Sequence, residues 1–356
     1  MSNKILQDIV ALLRIALKFS KAKDESHLFN QETDWKAIYT LSQQQGILAL
    51  TFTGAMQLPF EKQPPRKLKI NWGVNVELIK DRNKYHQAIV CELGRLFEEQ
   101  GIRMLLLKGR NVASMYPDPL LREECDIDIY LLNDNEKGSQ IIKDIGIHPC
   151  HTSEKHHTFL YKGVQVEYHY NFLNSHKYNS DRILKSYLSD ILTQECVQKK
   201  DYYYTPSPNF NGVFLFRHSV THLNAKNINL RFLCDWACFL SKYGDQLEYE
   251  KIKQILSKVS LSNLLETFIF LCIHLFGLQL GEVFSQIKNT GLEQTIITTI
   301  LKKEETCIQK GIFSQIKRRY NSFIETQKLH KLLYDQYNWE NIRFILLSKL
   351  LKANRF

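Results

Sequence analysis

The sequence predicts an α+β fold: a small mixed sheet flanked by N-terminal and C-terminal helical segments. Three observations carry that expectation. Apolar residues recur at helical spacing before residue 101 and again after residue 205. Between these stretches, short runs alternate apolar and polar residues with period two, as half-buried strands do. Glycine or proline marks both changeovers, at Gly101 and at Pro206 and Pro208. The expected organisation is a helical segment over 1–100, an α/β core over 101–205 and a helical region with a basic tail over 206–356. A chain of 356 residues exceeds the size at which a single core usually stops growing.

Each element has its own signal. Ile5, Ile9, Leu12, Leu13 and Ala16 form one helical stripe. Thr33 or Asp34 is a plausible cap for a second helix. Pro59, Pro64 and Pro65 punctuate a connection, and a long helix is expected from about 74 to 100, closed by Gly101. A strand is expected over 102–107, a turn at Gly109 and a short helix over 111–115 leading to Pro117-Asp118-Pro119. A second strand is expected over 126–132 and a helix over 136–145. Residues 159–161 and 164–170 read as a hairpin around Lys162-Gly163. After Pro208 the pattern is helical, with Phe214, Leu215, His218 and His222 on one stripe.

Composition narrows the class. Hydrophobic residues make up 44% and charged residues 24%, which suits a globular chain. The most apolar run, 268–280, is too short to span a bilayer, so no transmembrane segment is expected. Eight cysteines are scattered without a Cys-x-x-Cys pair, and the N-terminus shows no leader pattern; reduced thiols and a cytoplasmic location are the expectation. The net charge of +10 is uneven: residues 301–356 hold twelve basic against five acidic side chains. Such a tail is usually a solvated face; its functional alternative is an anionic partner. The stripe over 342–352 suits a packed terminal helix or a membrane-surface one.

The chemistry centres on three acids. Asp126 and Asp128 alternate with Ile127 and Ile129, so both carboxylates share one strand face, roughly 6.5–7 Å apart. Glu167 lies in a similar alternating run, and on a neighbouring strand it would arrive about 4.8 Å away. Two unit charges about 6 Å apart repel by about 2.8 kcal/mol at an effective dielectric near 20. A hard divalent cation, Mg²⁺ or Mn²⁺, relieves that repulsion and brings phosphates with it. The bland alternative is three exposed acids on a wet sheet face.

The ordered set Leu107-Lys108-Gly109, Tyr116-Pro117, Arg122, Asp126-Ile127-Asp128 and then Glu167 resembles a family of uncharacterised nucleotidyltransferase-like proteins in the polymerase-β-type superfamily. The resemblance spans roughly residues 30 to 280. It implies a metal-dependent nucleotidyltransferase, a transferase that moves a nucleoside monophosphate from a nucleoside triphosphate such as ATP. Asp126, Asp128 and Glu167 would be both catalytic and metal-binding. Lys108 and Gly109 would hold phosphates. Arg110 stands where the wider superfamily usually has a small residue, and its planar fork suits phosphate. Arg122 matches the family's arginine and either contacts phosphate or pairs with an acid. The family also shows a similar histidine and Leu-Arg-x-x-x-Asp pattern, which implies that His218, His222, Arg231 and Asp235 line the nucleotide or acceptor cleft. Spacing alone offers a surface pair between Arg231 and Asp235, four residues apart.

Two histidine groups invite a zinc reading. His218-Ser-Val-Thr-His222 lacks the glutamate of a zinc protease. His148, Cys150, His151, His156 and His157 could bind a soft metal, but their spacing fits no standard zinc site and a decorated loop is the expectation. Three rivals to nucleotidyl transfer stand: γ-phosphate transfer on the same scaffold, a non-catalytic nucleotide-binding module, and nucleic-acid binding through the basic tail. The acceptor is open among a small molecule, a sugar, RNA and a protein.

Overall fold

The computed structural model describes residues 3–301, apart from 125, 133–134, 153–155, 174–178 and 196. The basic tail and the terminal helix expected over 342–352 lie outside the described residues, as do Cys125, Cys196 and Cys307. Cys91, Cys150, Cys234, Cys238 and Cys272 are free thiols. No helix among the described residues is long and apolar enough to cross a membrane.

The chain opens with helices α1 (Asn3–Ala16), α2 (Ala22–Glu25), α3 (Trp35–Gln44), α4 (Leu48–Met56) and α5 (Arg66–Glu98). The core follows as β1 (Arg103–Leu106), α6 (Arg110–Ala113), β2 (Ile127–Leu132), α7 (Asn135–Asp144), β3 (His151–Thr152), β4 (His156–Tyr161), β5 (Val164–His169), α8 (Asn179–Gln194), β6 (Gln198–Lys200) and β7 (Tyr203–Thr205). Helices α9 (Pro208–Asn224), α10 (Leu230–Tyr243), α11 (Tyr249–Ser257), α12 (Ser262–Phe276) and α13 (Glu293–Leu301) close it. The α+β expectation is therefore met.

Local chemistry explains the helix ends. Asp34, not Thr33, caps α3, its carboxylate accepting from Ala37 N at 2.9 Å. Helix α5 begins eight residues earlier than its apolar stripe suggested, directly after Pro65. A proline at the helix start sacrifices no intrahelical donor. Trp72, Val76, Ile79, Ile89, Val90, Leu93 and Phe97 then form its buried face.

The strands make one mixed sheet, ordered β3-β4-β5-β2-β1-β7-β6. Strand β1 pairs antiparallel with β2 and parallel with β7, and β2 pairs parallel with β5. The hairpin around Lys162-Gly163 forms as expected, pairing β4 with β5. The short strands β3, β6 and β7 were not foreseen. Both sheet faces are covered. Met104, Leu106, Ile127, Ile129, Leu131 and Val166 pack with Ile89, Val90, Leu93 and Phe97 of α5. On the opposite face Leu105, Leu107 and Leu132 join the larger core, which includes residues of α9 and α10. Asp128 alternates with Ile127 and Ile129, so it faces α9 and α10.

One buried amide fastens α5 to the loop leading into β2. Asn83 Nδ2 donates to Leu120 O at 2.7 Å and to Arg122 O at 2.8 Å. Asn83→Ala strands both carbonyls, and should cost about 1–3 kcal/mol. In urea this appears as a lowered midpoint with an unchanged slope; a loss below about 0.5 kcal/mol would contradict the fastening role.

Candidate active site

Sheet register builds the acidic cluster. Asp128 sits directly beside Glu167 in the parallel β2–β5 pair. Asp126 precedes β2 by one residue. One oxygen from each of Asp126, Asp128 and Glu167 lies within 4.8 Å of the others. The three acids meet on one sheet face, as the alternation predicts.

Asp128 is fully buried. Its Oδ1 receives Lys108 Nζ at 2.7 Å and His169 Nε2 at 2.9 Å. Burial pushes this carboxyl up, but Lys108 and His169 outweigh it and hold it well below the ordinary carboxylate range. The same contacts raise both cations against their own burial: Lys108 through Asp128 and Asp126, His169 through Asp128 and Glu167. Asp126 moves the other way. The neighbouring charge of Asp128, then burial, raises it. Glu167 is lowered because His169 offsets its burial. Asp128 Oδ2 is buried and accepts no hydrogen bond. An orphaned carboxylate oxygen among two further carboxylates fits a hard divalent cation.

Gly109 makes the turn that brings Lys108 here. Its φ of +57° and ψ of −117° suit glycine alone, and an added Cβ would lie 3.4 Å from Asp126 O. Leu107 N donates to Asp128 O at 3.0 Å, which fixes this turn against β2.

A cavity of about 250 Å³ opens between this turn and helices α9 and α10. Lys108, Gly109, Arg122, Asp126 and Asp128 line it from the sheet side. His218, His222, Arg231 and Asp235 line it from the helices. Arg110 and Glu167 lie outside that lining. Arg110 is committed to protein partners: Nε donates to Gln87 Oε1 at 3.0 Å and Nη1 to Pro119 O at 3.1 Å.

The pairing of the helix residues differs from the local expectation. Asp235 does not pair with Arg231. It receives Arg122 through two bonds, at 2.6 and 2.9 Å, and Tyr116 Oη at 2.6 Å. Arg231 instead donates from Nη1 to Glu123 O at 2.6 Å. A guanidinium facing a carboxylate fork-to-fork, away from water, outcompetes a one-turn surface contact. Burial lowers Arg122, but Asp235 more than restores it, so it stays charged. The rings of His218 and His222 stand 4.5 Å apart, with His222 4.7 Å from the Phe232 ring.

His169 and Glu124 carry no expectation from the sequence, and His156 was expected in a loop. His169 lies two residues beyond Glu167, so the same period-two alternation places it on the acid face. His156 stands opposite His169 on β4. The histidines at 156 and 157 are thus strand residues and not loop decoration, and His151 lies on β3. Glu124 is 2% exposed, and neither carboxylate oxygen accepts a hydrogen bond. Its closest cation, Arg110 Nη1, is 3.5 Å from Oε1. Burial pushes it up to about 7, with Arg122 and Arg110 opposing. Its only sequence signal was adjacency to Glu123 in a loop, which gave no hint of burial.

A family model described as an uncharacterised nucleotidyltransferase matches residues 31–277. No curated protein and no solved structure matches the chain.

Two predictions follow from these ion pairs. Asp235→Ala leaves Arg122 buried without its counter-charge and should cost about 3–5 kcal/mol. The double change Arg122→Met with Asp235→Leu should recover most of that loss in thermal unfolding. For Glu124, the unfolded carboxyl ionises near 4.5 and the folded one near 7. Between these values the unfolded chain releases a proton that the folded chain keeps, so stability falls as pH rises. Glu124→Gln should therefore gain on the wild type across that window, by roughly 3 kcal/mol at pH 8. Parallel pH–stability curves for the two proteins would refute the assignment.

Proposed function

We propose, since the chain belongs to the uncharacterised nucleotidyltransferase family, that it transfers a nucleoside monophosphate from a nucleoside triphosphate to an acceptor hydroxyl or phosphate. The observation that carries this reading is the pairing of the acid cluster with a cavity. Residues 101–205 would be the transfer core, with the helical segments completing the cleft.

Asp126, Asp128 and Glu167 would hold divalent cations, Mg²⁺ or Mn²⁺, and the orphaned oxygen of Asp128 supports this. Such cations neutralise charge on phosphoryl oxygens and align the reacting groups. The protein's own contributions are positional. The Lys108 ammonium stands on the cavity wall, where an entering phosphate meets it. Gly109 leaves the backbone open to close approach. His218, His222 and Arg231 face the same space from the helices and would contact the nucleotide or the acceptor. The Arg122–Asp235 pair would set the width of the cleft, since it ties the loop before β2 to α10. Arg110 would brace that loop through Pro119 and support phosphate binding indirectly. The basic tail over 302–356 would serve an anionic partner or acceptor.

Asp126 is the better test residue, because Asp128 is locked between Lys108 and His169 and its loss would disturb the fold. Thermal unfolding with ATP, GTP, CTP and UTP, each with and without Mg²⁺, reads binding directly. A ligand at 100 times its dissociation constant stabilises by about 2.7 kcal/mol. The wild type should respond to at least one nucleotide in a metal-dependent way. Asp126→Asn should lose that response and at least about a hundredfold of any transfer rate. Metal-dependent shifts equal in both proteins would remove the acids from the site.

A further inference from the structure

The acid cluster has a nitrogen-bearing neighbour. In the antiparallel β4–β5 pair, His156 is directly opposite His169. Residues directly opposite in such a pair project from the same sheet face. Glu167 precedes His169 by two residues and shares that face. Alternation on two paired strands thus brings two imidazoles and a carboxylate together. Glu167 Oε2 lies 3.7 Å from His156 Nδ1 and 3.5 Å from His169 Nε2. The ring centroids of the two histidines are 4.9 Å apart. One ligand atom from each of the three residues falls within 4.8 Å of the others.

These spacings suit a metal. Ligands held about 2.0–2.1 Å from a tetrahedral zinc ion stand about 3.4 Å from one another. The two separations from Glu167 Oε2 are close to that edge length. Two histidines and a glutamate with room for a further ligand is also a donor set that zinc enzymes use. Imidazole favours zinc, cobalt, iron and nickel, whereas carboxylates alone suit magnesium and manganese. The β4–β5 cluster therefore differs in chemistry from Asp126 and Asp128, although Glu167 is common to both. His156 and Glu167 are partly exposed while His169 is buried.

We propose that His156, Glu167 and His169 form a divalent transition-metal site of the zinc–cobalt class, adjoining the acid cluster and sharing Glu167 with it. On loading, His169 Nε2 releases its proton to solvent, and its hydrogen bond to Asp128 gives way to the metal. Asp128 Oδ1 keeps Lys108 as its counter-ion. The site goes beyond nucleotide binding, and its test uses metal without nucleotide, so the two readings fail separately.

The probe is Co²⁺, followed by its visible d–d absorption and by calorimetric titration on the full chain, with Zn²⁺ as competitor. The wild type should develop the band and lose it to Zn²⁺. His156→Ala should abolish the band and weaken binding more than about tenfold. His156→Gln, which keeps a polar side chain there, is the second variant and should behave alike; far-UV circular dichroism reports whether each is folded. Asp126→Asn should retain both band and affinity. Three results overturn the proposal: no band in the wild type, a band and affinity unchanged by both His156 substitutions, or a loss in Asp126→Asn as complete as in His156→Ala. The last would mean a single mixed site built on the acids.

Discussion

The contact between Lys108 and Asp128 is the constraint on which the site depends. A carboxylate with no exposed surface needs a positive partner, and here it has two, Lys108 and His169. At 2.7 Å and an effective dielectric near 20, the gross attraction of the lysine pair is about 6 kcal/mol. Much of that offsets the cost of removing both charges from water. The pair therefore does more for geometry than for stability. It ties the turn after β1 to the middle of β2, and it requires Gly109 to take a backbone conformation closed to other residues. Because the carboxylate is held ionised with one oxygen unmatched, the site retains a demand for positive charge.

A second buried pair plays the corresponding part on the helical side. Arg122 leaves the loop before β2 and meets Asp235 of α10, with Tyr116 completing the carboxylate's bonds. Asn83 of α5 holds the backbone of the same loop. The loop is thus fastened to helices from both ends of the chain, and the cavity lies where it passes between them. In this arrangement the helical segments are part of the site, since α9 and α10 supply one of its walls. The family match over residues 31–277 spans these same elements.

The sequence made the sheet face legible and left the tertiary pairing hidden. Asp126, Asp128 and Glu167 could be placed together because strand periodicity is two and a single register puts Glu167 beside Asp128. That same rule places His169 on the face of the acids. His156 was harder: its strand begins beyond residues 153–155, and its partner lies across a hairpin. Strand β7 is three residues long and pairs with β1 across about a hundred residues, so no local pattern announces it. Arg231 and Asp235 show the limit from the other direction. Their spacing of four is what a helix pair needs, yet Asp235 takes Arg122 instead, since a buried bidentate partner outweighs a neighbour one turn away. Glu124 could not have been singled out at all. Its burial arises from packing between the Gly109 turn and the loop before β2, which no spacing in the chain encodes.

The proposed function requires that the cavity between the Lys108–Gly109 turn and helices α9 and α10 receive a triphosphate together with cations at the three acids. The most direct measurement is a crystal structure with a non-hydrolysable nucleoside triphosphate and Mn²⁺, using anomalous scattering to locate the metal. The expected result is an anomalous peak among Asp126, Asp128 and Glu167, with the triphosphate beside Lys108 and Gly109. A nucleotide seated elsewhere, or manganese that avoids all three carboxylates at saturating nucleotide, would contradict it.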